Sequence, residues 1–187
     1  MKLDRALVRT LLTRAEAFDW SLQGFGMFRL YVTKELRLHV WTDEFKQPAV
    51  TTVHTHPWDF GSTVLQGHVT DLRYIKVDGG GLARWEQKIQ CGEGACTVGE
   101  RTPVCLLLTE ERRVVVGQCY GRRANDIHES IPSNGCITLV ERRFREDTEH
   151  AYVYYPHDAS WVSAEPRKAT ITEVRRMAEI ALSVKED

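Results

Sequence analysis

The sequence lacks the features that mark several large classes of protein. Its five cysteines are an odd number, and no two stand in a Cys-X-X-Cys pair, so their pattern favours reduced thiols. No apolar stretch approaches the length of a membrane-spanning helix. The formal net charge is −1 and the pI is about 6.7, so no excess of positive charge predicts a nucleic-acid partner. No internal repeat, low-complexity segment or linker divides the chain.

Charged side chains also interrupt the apolar residues near the start of the chain. Arg5, Arg9, Arg14 and Glu16 lie among them, which prevents the apolar core of a secretory signal from forming. Together with the cysteine pattern, this predicts a cytoplasmic protein whose thiols are reduced.

The apolar residues that are present predict one domain over residues 1–187, with a helix at each end. The 42% hydrophobic and 27% charged content is that of an ordinary globular protein. A first helix is predicted over about 3–18, and a second over about 170–184, capped by Thr170 or Thr172. The stripe that should bury the first helix has four members: Leu3, Leu7, Leu11 and Phe18.

Short β-like runs dominate the chain from about residue 27 to residue 163. The glycines at 79–81 predict a hairpin between residues 69–77 and 83–89. The polar run 110–112 predicts the turn of a second hairpin, between residues 104–108 and 114–119. Many short strands predict an all-β fold, either a sandwich or a barrel. We favour a rolled barrel, because it would bring residues distant in sequence together at its mouth.

Three histidines are the strongest candidates for chemistry. His54 and His56 stand two residues apart, Gly67 follows, and His128 lies far downstream in another β-like run. Residues i and i+2 of a strand point to the same face, so one short strand could aim the first two at a single point. Neutral imidazole suits Zn, Cu, Fe and Ni. The alternatives are that His54 and His56 are surface residues on an edge strand, and that His128 is a hydrogen-bonded residue in a turn. The pattern favours a metal site over both.

The segment from His54 to Gly67 resembles the first motif of the cupin superfamily, which consists of His-X-His, a spacer, an acid and a glycine. The segment from Gly121 to His128, followed by Ser-Asn-Gly at 133–135, resembles the second motif. The resemblance implies a double-stranded β-helix, on which we expect the two predicted helices to pack. It also implies one divalent metal ion bound by His54, His56 and His128.

One position departs from the cupin pattern. The usual acid would fall four residues after His56, where the chain has Phe60, and Asp59 stands one place early. A slip of one residue along a strand reverses the face of its side chain unless a bulge intervenes. Asp59 is therefore either a fourth ligand or a residue outside the ligand set that orients a histidine, and we favour the second interpretation. A three-histidine centre is similar to that of thiol dioxygenases, and His150 with Tyr152 faintly resembles an arrangement in cysteine dioxygenases.

Other residues carry open alternatives. Tyr120 is a candidate proton donor to the site. His39 lies on a strand face that could line either the pocket or the solvent, and Trp58 could be a pocket wall or part of the core. Three cysteines are expected to be small core residues: Cys96, Cys105 and Cys119.

The expected function is that of a metal-dependent oxidoreductase. Three histidines leave open positions on an octahedral metal, which favours a non-haem Fe(II) dioxygenase acting on a small molecule. Zn, Ni or Mn are alternative metals, and a Zn- or Mn-dependent isomerase or hydrolase is an alternative enzyme. A small-ligand-binding or sensing module without turnover, and a structural protein with a degenerate site, are further alternatives. We expect neither a nucleic-acid nor a membrane partner, while pairing of edge strands would allow a homodimer.

Overall fold

The computed structural model describes residues 5–47, 51–91, 96–146, 150–159 and 166–185. Within these ranges the chain forms two α-helices, α1 (Arg5–Leu12) and α2 (Ile171–Ser183), and thirteen strands. The strands are β1 (Ser21–Gln23), β2 (Phe25–Tyr31), β3 (Leu36–Lys46), β4 (Val53–His54), β5 (Trp58–Gln66), β6 (His68–Val77), β7 (Leu82–Cys91), β8 (Cys96–Val115), β9 (Cys119–Arg122), β10 (Ile127–Pro132), β11 (Ile137–Phe144), β12 (Ala151–Pro156) and β13 (Arg167–Lys168). The prediction of a mostly β fold flanked by two helices is confirmed.

The strands form two sheets. One has seven strands in the order β13-β1-β2-β3-β11-β5-β9. The other has six strands in the order β10-β4-β12-β7-β8-β6, and β6 pairs back onto β10 so that the ring closes. Strands that are distant in sequence therefore lie side by side, as β3 and β11 do in the first sheet.

Both predicted hairpins are wrong, because β8 is one continuous strand. The first half of β8 pairs with β7, and its second half pairs with β6. Strands β6 and β7, which the glycines at 79–81 connect, therefore pair with β8 instead of with each other. The polar run at 110–112 lies within β8, where Glu110 stands opposite Arg73 and Arg112 opposite Asp71. Opposite charges on facing strands stabilise the pairing, so charge in this run does not require a turn.

The first helix is shorter than predicted. It ends at Leu12 and is followed by a 3-10 turn at Ala15–Ala17, where the Trp20 indole N–H donates to the Ala15 carbonyl at 2.9 Å. Val8 and Leu12 bury the helix, whereas Leu7 and Phe18 of the predicted stripe are exposed. Leu3 lies outside the described residues.

One face of the seven-stranded sheet packs against both helices. Val8 of α1 and Met177 of α2 join Phe28, Leu38 and Ile137 of the sheet in one buried cluster. Thr170 caps α2 by accepting a hydrogen bond from the Glu173 backbone N–H, which confirms one of the two predicted caps. The opposite face of the sheet packs against the six-stranded sheet, where Val64 of β5 meets Val69 of β6 and Val114 of β8. The candidate site lies between the two sheets.

In the part of the chain that the structure describes, neither helix is long and apolar enough to cross a membrane.

Cys119 is exposed, and its sulfur lies 3.0 Å from the Thr63 hydroxyl, so its prediction as a core residue is wrong. Cys105 is half-buried, and the side chain of Cys96 lies outside the described ones.

Candidate metal centre

The fold brings the three candidate histidines together. His54 of β4 and His128 of β10 stand directly opposite each other in an antiparallel pair, and their ring centres are 4.6 Å apart. The ring of His56 lies 4.6 Å from that of His54 and 5.1 Å from that of His128. Each histidine offers one nitrogen, and the three nitrogens lie within 4.8 Å of one another.

His56 reaches this cluster by a route that differs from the predicted one. Strand β4 ends at His54, so the two histidines do not share a strand. The Thr55 N–H donates to the Tyr152 carbonyl at 2.8 Å, and the Asn125 N–H donates to the His56 carbonyl at 3.0 Å. These bonds fix the connection between β4 and β5, and thereby the position of His56.

Backbone carbonyls determine which ring nitrogen faces the cluster. Nδ1 of His54 lies 2.7 Å from the Thr52 carbonyl, and Nδ1 of His128 lies 3.1 Å from the Asp126 carbonyl. A carbonyl only accepts hydrogen bonds, so Nδ1 carries the proton in both rings and Nε2 keeps its lone pair. Such bonds orient metal-binding histidines in proteins.

Burial keeps all three rings in the form that binds metals. It lowers the pKa of His54, and it lowers the pKa values of His56 and His128 well below their ordinary range. The proximity of the rings adds to this effect for His56 and His128, because each positive charge would repel its neighbours. Neutral imidazole is the ligand state, since a protonated nitrogen has no lone pair to donate.

The spacing of the nitrogens fits a metal ion. Imidazole nitrogens bind zinc at about 2.0–2.1 Å, which places two ligands about 2.8–3.4 Å apart for right-angled to tetrahedral geometry. The Nε2 atoms of His54 and His56 are 3.1 Å apart. The pair is therefore already spaced as two ligands of one ion would be.

Aromatic rings enclose the histidines. Trp58 stacks on His56 with ring centres 4.9 Å apart, and Phe25 stacks on His54 at 6.4 Å. Phe60 contacts the rings of His56 at 5.4 Å and His128 at 5.3 Å. A phenyl ring thus lies against the cluster at the position where the cupin pattern has its acid.

Asp59 lies outside the histidine cluster. Its Oδ1 accepts the Ala124 backbone N–H at 2.7 Å, and its Oδ2 is 3.9 Å from Nη1 of Arg145. Ala124 belongs to the turn between β9 and β10, which also contains Asp126, the residue whose carbonyl orients His128. The structure therefore places Asp59 as a support for that turn.

Tyr120 is buried behind the cluster. Its ring contacts Phe60 at 6.1 Å, and its hydroxyl lies 3.3 Å from the Ser130 hydroxyl. Burial raises the pKa of Tyr120, which keeps it protonated. Its hydroxyl is directed to Ser130, and the ring that contacts His128 is Phe60.

Sequence reasoning missed a group of buried cations beside the histidines. Arg29, Arg37 and Arg142 are buried, and the strand register puts them on the same face of the seven-stranded sheet as His39. The alternation in β3 indicated that Arg37 and His39 share a face, but it left open whether that face meets solvent. In the structure it is covered, and the Nε2 atom of His39 has no hydrogen-bond partner among the described residues.

No protein-family model matches this chain, and no curated protein matches it either.

Proposed function

We propose that this protein is a metal-dependent enzyme with a cupin-like double-stranded β-helix, in which His54, His56 and His128 hold one divalent ion. The observation that carries the proposal is the convergence of three neutral imidazoles, one buried and two half-buried, two of which are held by backbone carbonyls with Nε2 directed inwards. The two sheets with the site between them are compatible with that fold.

The proposed reaction is the oxidation of a small molecule by O₂ at Fe(II). Three histidines leave open positions, so the iron would supply adjacent sites for substrate and O₂. Phe60 supports this reading, because it puts a phenyl ring where a fourth, acidic ligand would otherwise reduce the open positions.

The backbone carbonyls and aromatic side chains around the histidines have separate roles in this proposal. The carbonyls of Thr52 and Asp126 hold the protons on Nδ1, which keeps the ligand nitrogens basic. Trp58 and Phe60 cover the histidines and limit the access of water, which strengthens electrostatic interactions inside the site.

Elemental analysis of protein purified without chelators tests the metal site. We expect about one divalent ion per chain in the wild type, and its loss in the double variant His54→Ala/His56→Ala. His157→Ala is the matched control, because His157 is exposed and contacts Trp85 instead of the cluster. Stoichiometric metal in the double variant would overturn the site.

The reaction requires a separate measurement. Protein reconstituted with Fe(II) under anaerobic conditions is mixed with thiols or diketones, and O₂ uptake is recorded. Uptake that depends on one substrate class and disappears in the double variant supports the dioxygenase. Metal binding without uptake on any compound in the panel would reject it in favour of a binding module, while a preference for Zn or Mn would favour an isomerase or hydrolase.

A further inference from the structure

Three buried arginines converge on one aromatic ring next to the histidine cluster. Arg29, Arg37 and Arg142 expose only 9%, 7% and 6% of their surface. Their guanidinium carbons lie 5.4, 4.6 and 5.5 Å from the centre of the Tyr31 ring. The three side chains come from β2, β3 and β11, which are adjacent strands of the seven-stranded sheet.

These arginines have few polar partners. Within the part of the chain that the structure describes, no carboxylate lies at ion-pair distance from any of them, and Glu35 acts on Arg142 only from further away. The Nε–H of Arg29 donates to the Ser21 hydroxyl at 3.3 Å, and Nη2 of Arg142 donates to the Lys34 carbonyl. The Nε atoms of Arg37 and Arg142 are buried without a partner.

Aromatic faces compensate only part of this charge. The Arg37 and Arg142 guanidinium groups lie 5.3 and 5.2 Å from the Trp58 ring centre, and Arg142 lies 4.6 Å from that of Phe144. Each such contact stabilises a guanidinium by less than the burial of an unpaired charge destabilises it. Burial and then repulsion from Arg29 and Arg142 lower the pKa of Arg37 to about 9. Three like charges held together out of water are stabilised most by an anion.

We propose that Arg29, Arg37 and Arg142 bind the oxyanion of the substrate, a carboxylate or a phosphate group. The planar guanidinium presents paired N–H donors whose geometry matches both groups. This role rests on the proposed function and deepens it, because it names the class of substrate for the same site: a small organic anion.

The arginines lie close enough to the histidines for one substrate to reach both groups. Trp58 stacks on His56 and also lies beside Arg37, so the guanidinium carbon is no further than about 10 Å from the His56 ring centre. His39 follows Arg37 on the same face of β3. A substrate whose anionic group binds here would place an atom several bonds away at the histidines.

The arginines are also close to solvent. Tyr31 and Phe144, which contact them, each expose 48% of their surface. Lys34 is exposed beside Phe144, with Nζ 5.2 Å from that ring centre. An anion would therefore meet the positive charge of Lys34 before it reaches the buried guanidinium groups.

The test measures anion binding to the full-length, metal-free chain. Inorganic phosphate and succinate are titrated by calorimetry at constant ionic strength, with chloride as the reference anion. We expect one of the two to bind, and Arg37→Met to weaken its affinity by about 10- to 100-fold, the scale of a lost charge-assisted contact. The arm that binds separates a phosphate from a carboxylate substrate.

Two controls make the result specific. Arg101→Met removes another arginine that stacks on a tryptophan, at 5.2 Å from the Trp85 ring centre, but this arginine is exposed. It should bind the anion like the wild type. Arg37→Met should be at least as stable as the wild type in urea without anions, because it removes a repelled charge. A purely structural stacking role would instead make that variant less stable.

The outcomes distinguish this site from the metal site. If neither anion binds more tightly than chloride, or if Arg37→Met binds as well as the wild type, the anion site is overturned. Metal content is measured on separate preparations of the same variants purified without chelators, and Arg37→Met should retain the wild-type metal content. Anion binding that persists in His54→Ala/His56→Ala, with metal lost, supports the arginine site independently of the reaction.

Discussion

Replacement of Asp59 by alanine should weaken metal binding without abolishing it. The carboxylate holds the turn between β9 and β10 through the Ala124 N–H at 2.7 Å. The same turn supplies the Asp126 carbonyl that orients His128 and the Asn125 N–H that binds the His56 carbonyl. Loss of Asp59 would therefore loosen two of the three ligands at once, although it contacts neither.

The size of the effect follows from the bond that is lost. A hydrogen bond from a backbone N–H to an ionised carboxylate contributes about 1.5–3 kcal/mol. If that free energy serves to hold the turn in the binding geometry, its loss corresponds to roughly a 10- to 150-fold weaker affinity. This agrees with the 10- to 100-fold effects typical of residues that support metal ligands. The pair with Arg145, at 3.9 Å and partly exposed, adds little.

Competition with a chelator measures the affinity for Zn, and the absorption spectrum of the Co(II) form reports the coordination. We expect Asp59→Ala to bind one ion per chain with the wild-type spectrum and a 10- to 100-fold lower affinity. Asp59→Asn is the matched control, because its amide oxygen can still accept the Ala124 N–H, and it should lose less. Abolished binding with an altered spectrum would show that Asp59 is a ligand, and unchanged affinity would refute the coupling through the turn.

Three further predictions concern stability. Gln66→Leu should lower the free energy of unfolding in urea by roughly 2–5 kcal/mol, because Gln66 is fully buried and forms hydrogen bonds with Arg9, the Gly135 carbonyl and the Ala181 carbonyl. The control Gln118→Leu, at an exposed position, should lower it by less than about 1 kcal/mol, and equal losses in the two variants would contradict this prediction. Thr170→Ala should cost about 1 kcal/mol, because the hydroxyl caps α2, and an unchanged midpoint would disprove that contribution. The pKa of Glu173 is lowered from an ordinary 4.5 to about 2, mainly by its hydrogen bond with the Arg167 side chain. The stabilisation by the ionised Glu173 is therefore present above about pH 4.5 and is lost as the pH falls towards 2. The difference in unfolding free energy between the wild type and Glu173→Gln should shrink over that range, and a constant difference would count against this prediction.

Local patterns predicted the elements whose cause is local. The cap at Thr170 depends on residues within a few positions of one another, and it is present in the structure. The β-rich composition likewise predicted a mostly β fold. The long strand β8 was not predictable in this way, because the charges at Glu110 and Arg112 resemble a turn until their partners on β6 are known.

The sequence by itself determined which residues could form the centre: two histidines two positions apart, a third downstream, and Phe60 where an acid is usual. Only the tertiary structure decided that His54 faces His128 across two strands, that Asp59 supports a turn, and that Arg37 and His39 are covered. Strand periodicity states which side chains share a face, since that follows from backbone geometry within one strand. It does not state what covers the face, because that depends on pairing between segments far apart in the chain.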